Sequence, residues 1–250
     1  MLVVVSPAKK LDMDPVAGVQ PTQPVFRERT RELVTEAAKL TSGELEKLMK
    51  ISPNLAKLNH QRFYDFGSQD RKPAAFAFAG DTFQGFEVAT LDGDALRWAQ
   101  EHLRILSGLY GVLRPLDEIE PYRLEMGSRL KTEHGKNLYE YWGSALALEL
   151  SAQAKTTHST AVVNCASQEY FQAVDTQALS VPVISPVFME NTEKGPKIIS
   201  FYAKRARGAM ARFVVSNRIS NLASLYDFDA GGYRYEANLS SENKPVFLRG

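Results

Sequence analysis

The chain has 250 residues, 44% of them hydrophobic and 24% charged, with 30 lysines and arginines against 29 aspartates and glutamates. These are the values of a soluble, folded protein long enough for one large core, and they exclude a globally basic or acidic polyelectrolyte. No stretch approaches the ~20 apolar residues of a membrane span, and the start MLVVVSPAKK lacks the basic leader and long apolar run of a signal peptide, so the cytoplasm is the expected location.

In chain order, short β-type runs alternate with helical patterns. The β runs are Leu2 to Val5, Ala75 to Phe78, Ala161 to Val163, Val183 to Ile184 and Ile198 to Phe201. Between them Gln23 to Lys39, Gly43 to Met49, Pro53 to Tyr64, Gly93 to Leu106, Asn137 to Ala154 and Gln168 to Ala173 read as helix, with Ser167 a fitting N-cap for the last. The alternation predicts an α/β fold, with α+β as the alternative, in one domain over residues 1–250 around a mixed sheet. The tail 229–250, with Gly231-Gly232 and YRYEA before NKPVFLR, reads as a terminal hairpin or extension.

Residues 40–63, LTSGELEKLMKISPNLAKLNHQRF, read as a helical hairpin. Thr41 or Ser42 caps its first helix, Lys50-Ile51 forms the hinge, and Ser52-Pro53 supplies an N-cap and a first-turn proline for the second. The frame from Leu48 to Ala56 resembles the helix-hairpin-helix pattern of DNA-binding proteins, with Lys50 and Ser52 standing where that pattern has glycines. Lys50, Lys57 and Arg62 put cations beside the turn, and the Ser52 hydroxyl and Asn54 amide can bond phosphate oxygens. The alternative is an αα-corner that packs Leu45, Leu48, Met49, Ile51, Leu55 and Leu58 into the core.

Leu106 to Gly127 is too irregular for one helix or strand. Two glycines, two prolines and the charged set Arg114, Asp117, Arg123 and Glu125 describe an ordered loop, either a site or an arginine-carboxylate lattice that holds the loop together. Several β runs end in polar residues: Lys9 after the first, Asp81 after the second, Asn164 and Glu169 after the third, Lys204 after the last. In open α/β sheets ligands collect beyond the carboxyl ends of parallel strands, so these residues can meet at one edge if their strands are parallel neighbours. Read as a pocket, Asp81, Glu125 and Glu169 supply acid or base chemistry, Arg114, Arg123 and Arg207 clamp phosphate or carboxylate, and Tyr110, Tyr170 or Tyr202 stack on a base. Cys165 reads as a small buried residue. The four histidines are scattered without metal-binding spacing, so neither a metal nor a cofactor is expected.

Lys197 to Arg218 holds two lysines and four arginines and no acid. With a helix from about Ala203, residues Ala203, Ala206, Met210, Phe213 and Val214 form an apolar face. Arg205 and Arg212 then lie opposite it, and Lys204 and Arg207 flank the seam. Such local charge in a near-neutral chain marks a surface for an anion, either nucleic acid or a phosphorylated small molecule.

Together SPAKKLD, GDTFQGF, LSGLYGVLRPLD with PYRLEMG, NLYEYWG, NCASQEYF and IISFYAKRARGAMARF resemble, in this order from residue 2 to about 218, the YaaA peroxide-stress family. Lys10 and Phe83 stand where the family has hydroxyl-bearing residues. The resemblance implies a cytoplasmic bacterial protein that limits peroxide damage by keeping unincorporated iron low. It also implies a family-specific fold with a helix-hairpin-helix element and a basic cleft for double-stranded DNA. On that basis Lys9, Lys50, Ser52, Asn54, Lys57, Arg62, Lys204, Arg205, Arg207 and Arg212 are expected at DNA. A pocket of Asp81, Arg114, Arg123, Glu125, Asn164 and Glu169 is the alternative, acting as an enzyme on a nucleotide, nucleobase or damaged base; no catalytic residue is assigned.

Overall fold

A computed structural model describes residues 1–250. Its first strand, β1 (Leu2–Val5), is wholly buried, and an extended leader then reaches helix α1 (Arg27–Ala38). Helices α2 (Ser42–Met49) and α3 (Pro53–Tyr64) follow as a hairpin. Thr41 and Glu44 form a reciprocal capping box at the start of α2, and the Leu55 N–H donates to Ser52 Oγ at the start of α3. Next come β2 (Lys72–Pro73), the single-turn α4 (Ala74–Ala77), α5 (Asp81–Phe86) and α6 (Gly93–His102).

Ala75 to Phe78, expected as strand, is thus largely the helical turn α4, and only Phe78 is extended, bridging to Leu11. The alanines favour helix and tipped the balance. The helix expected to Leu106 ends at His102, where the chain passes directly into β3 (Leu103–Ser107). Antiparallel to β3 lies β4 (Gly111–Leu113), followed by β5 (Glu118–Ile119), which pairs with β2. The expected helix from Asn137 to Ala154 is broken into α7 (Leu138–Trp142) and α8 (Ala145–Thr156). Gly143 between them has φ +49 and ψ −128, outside any helical conformation.

The chain then forms β6 (Val162–Cys165), α9 (Gln168–Phe171), β7 (Val183–Ile184), β8 (Val187–Glu190), α10 (Ser200–Ser216), β9 (Arg234–Tyr235) and β10 (Val246–Arg249). Ile198 to Phe201, expected as strand, instead runs into the first turn of α10, with Ile198 and Phe201 facing solvent. Its β-branched and aromatic residues carry strand propensity but have no strand to pair with there.

The result is a mixed α/β fold. The main sheet has the order β4-β3-β1-β6-β7, with β1 parallel to both β3 and β6, and β6 parallel to β7. A smaller sheet, β8-β10-β9, carries the tail, with β9 and β10 antiparallel. From β1 the chain goes first to one side, to β3, and later to the other, to β6. The sheet therefore has a topological switch point between β1 and β6, the place where open α/β sheets leave a crevice.

Helices α5 and α10 cross at very short range. A Cβ added to Gly208 would lie 1.8 Å from the Thr82 carbonyl oxygen, and one added to Gly85 would lie 2.1 Å from that of Arg205. Only glycine on both helices permits this backbone contact. The expected apolar face of α10 is the buried one: Ala203, Ala206, Met210 and Val214 are all less than 5% exposed, and Phe213 packs against the core partly buried.

Candidate functional site

At the carboxyl ends of β1 and β6 the chain leaves the sheet in two polar turns. The Ser167 N–H donates to Ser6 Oγ at 2.8 Å, and the two hydroxyls lie 3.3 Å apart, so the turns are fastened across the switch point. Above them opens a cleft of about 390 Å³, walled by the turn after β1, the start of α5, the start of α9 and one side of α10. Lys9, Lys10, Lys204 and Arg207 supply its positive charge and Asp81 and Glu169 its negative charge, with Cys165 also in its wall.

The cations differ in what already holds them. Lys9 reaches Glu125 at 3.4 Å, and Arg123 pairs with the same carboxylate at 3.0 Å. Lys10, Lys204 and Arg207 form no ion pair. Arg207 is half-buried, and that burial pulls its pKa below the ordinary arginine value while the neighbouring Cys165 opposes the shift. A guanidinium desolvated without a carboxylate leaves its fork of N–H donors available to an anion. Burial pushes the Cys165 thiol up to about 12, so the sulfur is protonated at neutral pH and is not a thiolate nucleophile.

Glu169 is also fixed at one end, where its Oε1 accepts the Gly127 N–H at 3.1 Å. Beside the cleft a narrower recess is lined by Lys9, Tyr122, Arg123, Glu125 and Tyr170. There Glu125 is 8% exposed, and its Oε2 has no hydrogen-bond partner. Burial holds the Tyr170 phenol well above its ordinary pKa, so it is a neutral donor at physiological pH.

Among the residues singled out from sequence, Lys9, Asp81, Glu169, Lys204 and Arg207 line this cleft, and Arg123 and Glu125 line the adjoining recess. Asn164 lies at the end of β6 without lining either. Its Oδ1 accepts the Ala166 N–H at 3.0 Å, and its amide reaches Ser185 Oγ at 3.3 Å, so it shapes the turn. Arg114 is elsewhere: it holds the buried Asp117 through Nε at 3.0 Å and Nη2 at 2.9 Å and donates to the Gln23 carbonyl. That is the loop-holding lattice rather than a clamp. Sequence reasoning missed Ser6 and Lys10 as lining residues, although both belong with Lys9 to the segment SPAKK that marks the strand end.

The other cations lie apart. Arg205 and Arg212 line a separate groove of about 650 Å³ against the smaller sheet. Arg212 is occupied there, donating to the Phe86 and Glu87 carbonyls at 3.0 and 2.9 Å and so capping the end of α5. Lys50, Ser52, Asn54 and Lys57 sit at the α2–α3 corner, but Arg62, expected beside the turn, lies in the last turn of α3 at the far end of the helix, and none of the five lines either cavity. Lys50 adopts φ +52 and ψ +52, the left-handed conformation for which the DNA-binding pattern uses glycine, so the hinge closes without one. Of the residues a core-packing corner would bury, Leu45, Met49 and Ile51 are buried and Leu48 packs partly buried against the core, while Leu55 and Leu58 are 39% and 45% exposed.

No helix is long and apolar enough to cross a membrane. The chain matches the model of the peroxide stress protein YaaA family over residues 1–239. It is 56% identical to a UPF0246 protein of Ruegeria pomeroyi, covering all of this chain and 98% of that protein. It is likewise 56% identical to one of Roseobacter denitrificans, again over the whole chain and 98% of the relative, and 53% identical to one of Dinoroseobacter shibae, over the whole chain and 95% of the relative. With the family model spanning nearly its whole length, the chain belongs to the YaaA peroxide-stress protein family.

Proposed function

We propose that this protein serves the peroxide-stress response in the cytoplasm by binding duplex DNA with little sequence preference, limiting damage linked to unincorporated iron. Phosphates sit against Lys10, Lys204 and Arg207 at the cleft, and the α2–α3 corner, with Lys50, Ser52, Asn54 and Lys57, holds a second stretch of backbone as a helix-hairpin-helix element. The observation that carries the reading is the set of three cleft cations without carboxylate partners, one of them a half-buried arginine. Cations left unpaired at a concave surface favour a polyanion, and contacts to phosphate carry no base information. No three His, Cys, Asp or Glu side chains converge to hold a metal ion, so the reading gives the iron link an indirect route.

The test is an anisotropy titration of labelled duplexes of unrelated sequence across a salt series. Wild type is expected to bind them alike with affinity falling steeply in salt, and Lys204→Glu with Arg207→Glu to abolish most of it. Affinity that ignores salt, or survives the double charge reversal, refutes the reading.

A second reading has its own observation. Asp81 and Glu169 stand in the cleft without cationic partners, where a surface for phosphates alone gains nothing from carboxylates. An enzyme acting on a nucleotide, nucleobase or damaged base would use them as acid and base, with Lys204 and Arg207 on the phosphate. Asp81→Asn and Glu169→Gln discriminate. If they keep duplex affinity but fail to restore peroxide resistance to cells lacking the protein, chemistry is required; full restoration excludes it.

A further inference from the structure

Another hollow, of about 140 Å³, shares no lining residue with the cleft or the groove. It lies where the start of α1 meets Phe66, Arg71 and strand β5. Its charges divide into engaged and unengaged ones. Glu120 is 2% exposed and accepts the Gly67 N–H at 2.7 Å, the Arg71 Nε–H at 3.1 Å and the Gln69 amide at 3.4 Å, so Arg71 and Glu120 offset each other. Arg27 and Arg31 stand one turn apart on α1 and form no ion pair. Like charges at that spacing repel along one helix face, and an anion lying between them relieves the repulsion. Glu118 on β5 also has no cationic partner; its Oε2 accepts the Gln23 amide at 2.7 Å. Two guanidinium groups and one carboxylate therefore line the same small space without pairing with one another.

We propose that this hollow binds a small amino dicarboxylate, a zwitterion of the glutamate or aspartate type: its two carboxylates lie on Arg27 and Arg31 and its ammonium on Glu118. Three features select this class. Two guanidinium forks without partners suit two carboxylates, each held by paired N–H donors. Their neighbour Glu118 then decides against a plain anion. Phosphate would satisfy the arginines while setting its charge against that carboxylate, and a plain cation would do the reverse. With Arg71 and Glu120 offsetting each other, Arg27, Arg31 and Glu118 leave the lining one net positive charge, which the single net negative charge of an amino dicarboxylate balances. Size is the third feature. About 140 Å³ is well below the ~300 Å³ at which pockets for drug-sized ligands begin, so a nucleotide is too large and a compact metabolite is not. Phe66 and Tyr110, with ring centroids 6.2 Å apart, give the ligand's methylenes an apolar wall. The site stands apart from the cleft, so the inference does not depend on the protein's being a DNA binder.

The experiment titrates the full chain calorimetrically, at fixed ionic strength, with L-glutamate, L-aspartate, glutarate, γ-aminobutyrate and inorganic phosphate. One equivalent of L-glutamate or L-aspartate is expected to bind, tighter by about ten-fold or more than glutarate, which lacks the amine, or γ-aminobutyrate, which lacks one acid group; a charge-assisted hydrogen bond is worth that much. Phosphate should bind more weakly still. Arg27→Gln with Arg31→Gln should abolish binding without lowering the thermal midpoint, since both side chains are exposed. Glu118→Gln should weaken L-glutamate to the level of glutarate while glutarate itself binds no worse, a split that a general loss of structure would not produce. No binding of either amino acid overturns the inference, as do glutarate or phosphate binding as tightly as L-glutamate, or amino-acid binding retained by the arginine variant. Duplex titrations keep the two readings apart. Amino-acid binding without duplex affinity supports this site while refuting the DNA reading, and duplex binding without amino-acid binding does the reverse. Duplex affinity lost in the arginine variant would assign these arginines to DNA and also overturn the inference.

Discussion

Gly208→Ala tests the close crossing on which the cleft depends. The added Cβ would stand 1.8 Å from the Thr82 carbonyl oxygen, 2.7 Å from its carbon and 3.0 Å from the Phe86 nitrogen. All three are backbone atoms, so no side chain can rotate aside, and α5 and α10 must part by roughly 1.5 Å to restore ordinary contact. Overpacking of this kind costs about 1–3 kcal/mol, and a clash against backbone belongs at the upper end. For a chain of this size about 3 kcal/mol lowers the thermal midpoint by roughly 6–12 °C. Gly43→Ala is the control, because a Cβ there meets nothing within 4 Å, and it should hold or raise the midpoint by replacing glycine in α2. Since α5 begins at Asp81 and α10 carries Lys204 and Arg207, the same displacement parts two walls of the cleft. Anion affinity should therefore fall in Gly208→Ala at temperatures where the protein is still folded. A midpoint within about 2 °C of wild type, on the scale of this estimate, refutes the packing argument.

Glu125→Gln releases Lys9 and Arg123 from the carboxylate they share, so it should steepen the salt dependence of DNA binding by about 0.9 per additional phosphate contacted while lowering thermal stability; an unchanged slope shows that neither cation reaches DNA. Cys165, with its pKa pushed up from 9.0 to about 12, should resist iodoacetamide at pH 8 in the folded protein and react readily after denaturation. The unfolded thiol ionises first, so its contribution to stability is complete below pH 9 and is lost as the pH rises through 12; fast labelling of the native protein refutes the burial argument. The backbone N–H and hydroxyl of Thr41 hold the Glu44 carboxyl below its usual range, so the box contributes at neutral pH and is lost as the pH falls through the folded pKa. Thr41→Ala should lower the thermal midpoint at pH 7 by about 2–4 °C, less in acid, and an identical drop at both pH values counts against the box.

What the sequence made legible was decided by burial and by turn chemistry. The short apolar runs Leu2 to Val5 and Ala161 to Val163 lie in the middle of a parallel sheet, where continuous apolar character is the expected signature. The polar residues after them were readable as strand ends, and hence as a site. The start of β3 was not, because Leu103 to Ser107 is fully buried and follows α6 without a glycine or proline to mark the change of period. Gly143 did carry a signal for the break between α7 and α8, since Gly143-Ser144 is a pair that interrupts helices. Arg114 and Asn164 look from sequence like any other site polar group; only the carboxylate and turn atoms they bind, which are set by tertiary folding, separate them from Lys204 and Arg207.

The basic segment Lys197 to Arg218 shows why counting charges overstates a nucleic-acid surface. Its six cations do not act together. Arg212 caps α5, and Lys197 before the helix and Arg218 in the left-handed turn after it line neither cavity. Lys204 and Arg207 face the cleft and Arg205 the groove beyond the helix. With Lys10, the cations free of carboxylates at these two sites number about four, so the slope of log affinity against log salt should lie near −3.6, from ~0.9 per phosphate. The double reversal of Lys204 and Arg207 should remove about half of it. A slope of about −5 or steeper would mean that the α2–α3 corner, with Lys50 and Lys57, engages the same duplex together with the cleft. A slope of about −2 would confine binding to the cleft's innermost pair, which is the behaviour of a nucleotide pocket rather than a DNA track.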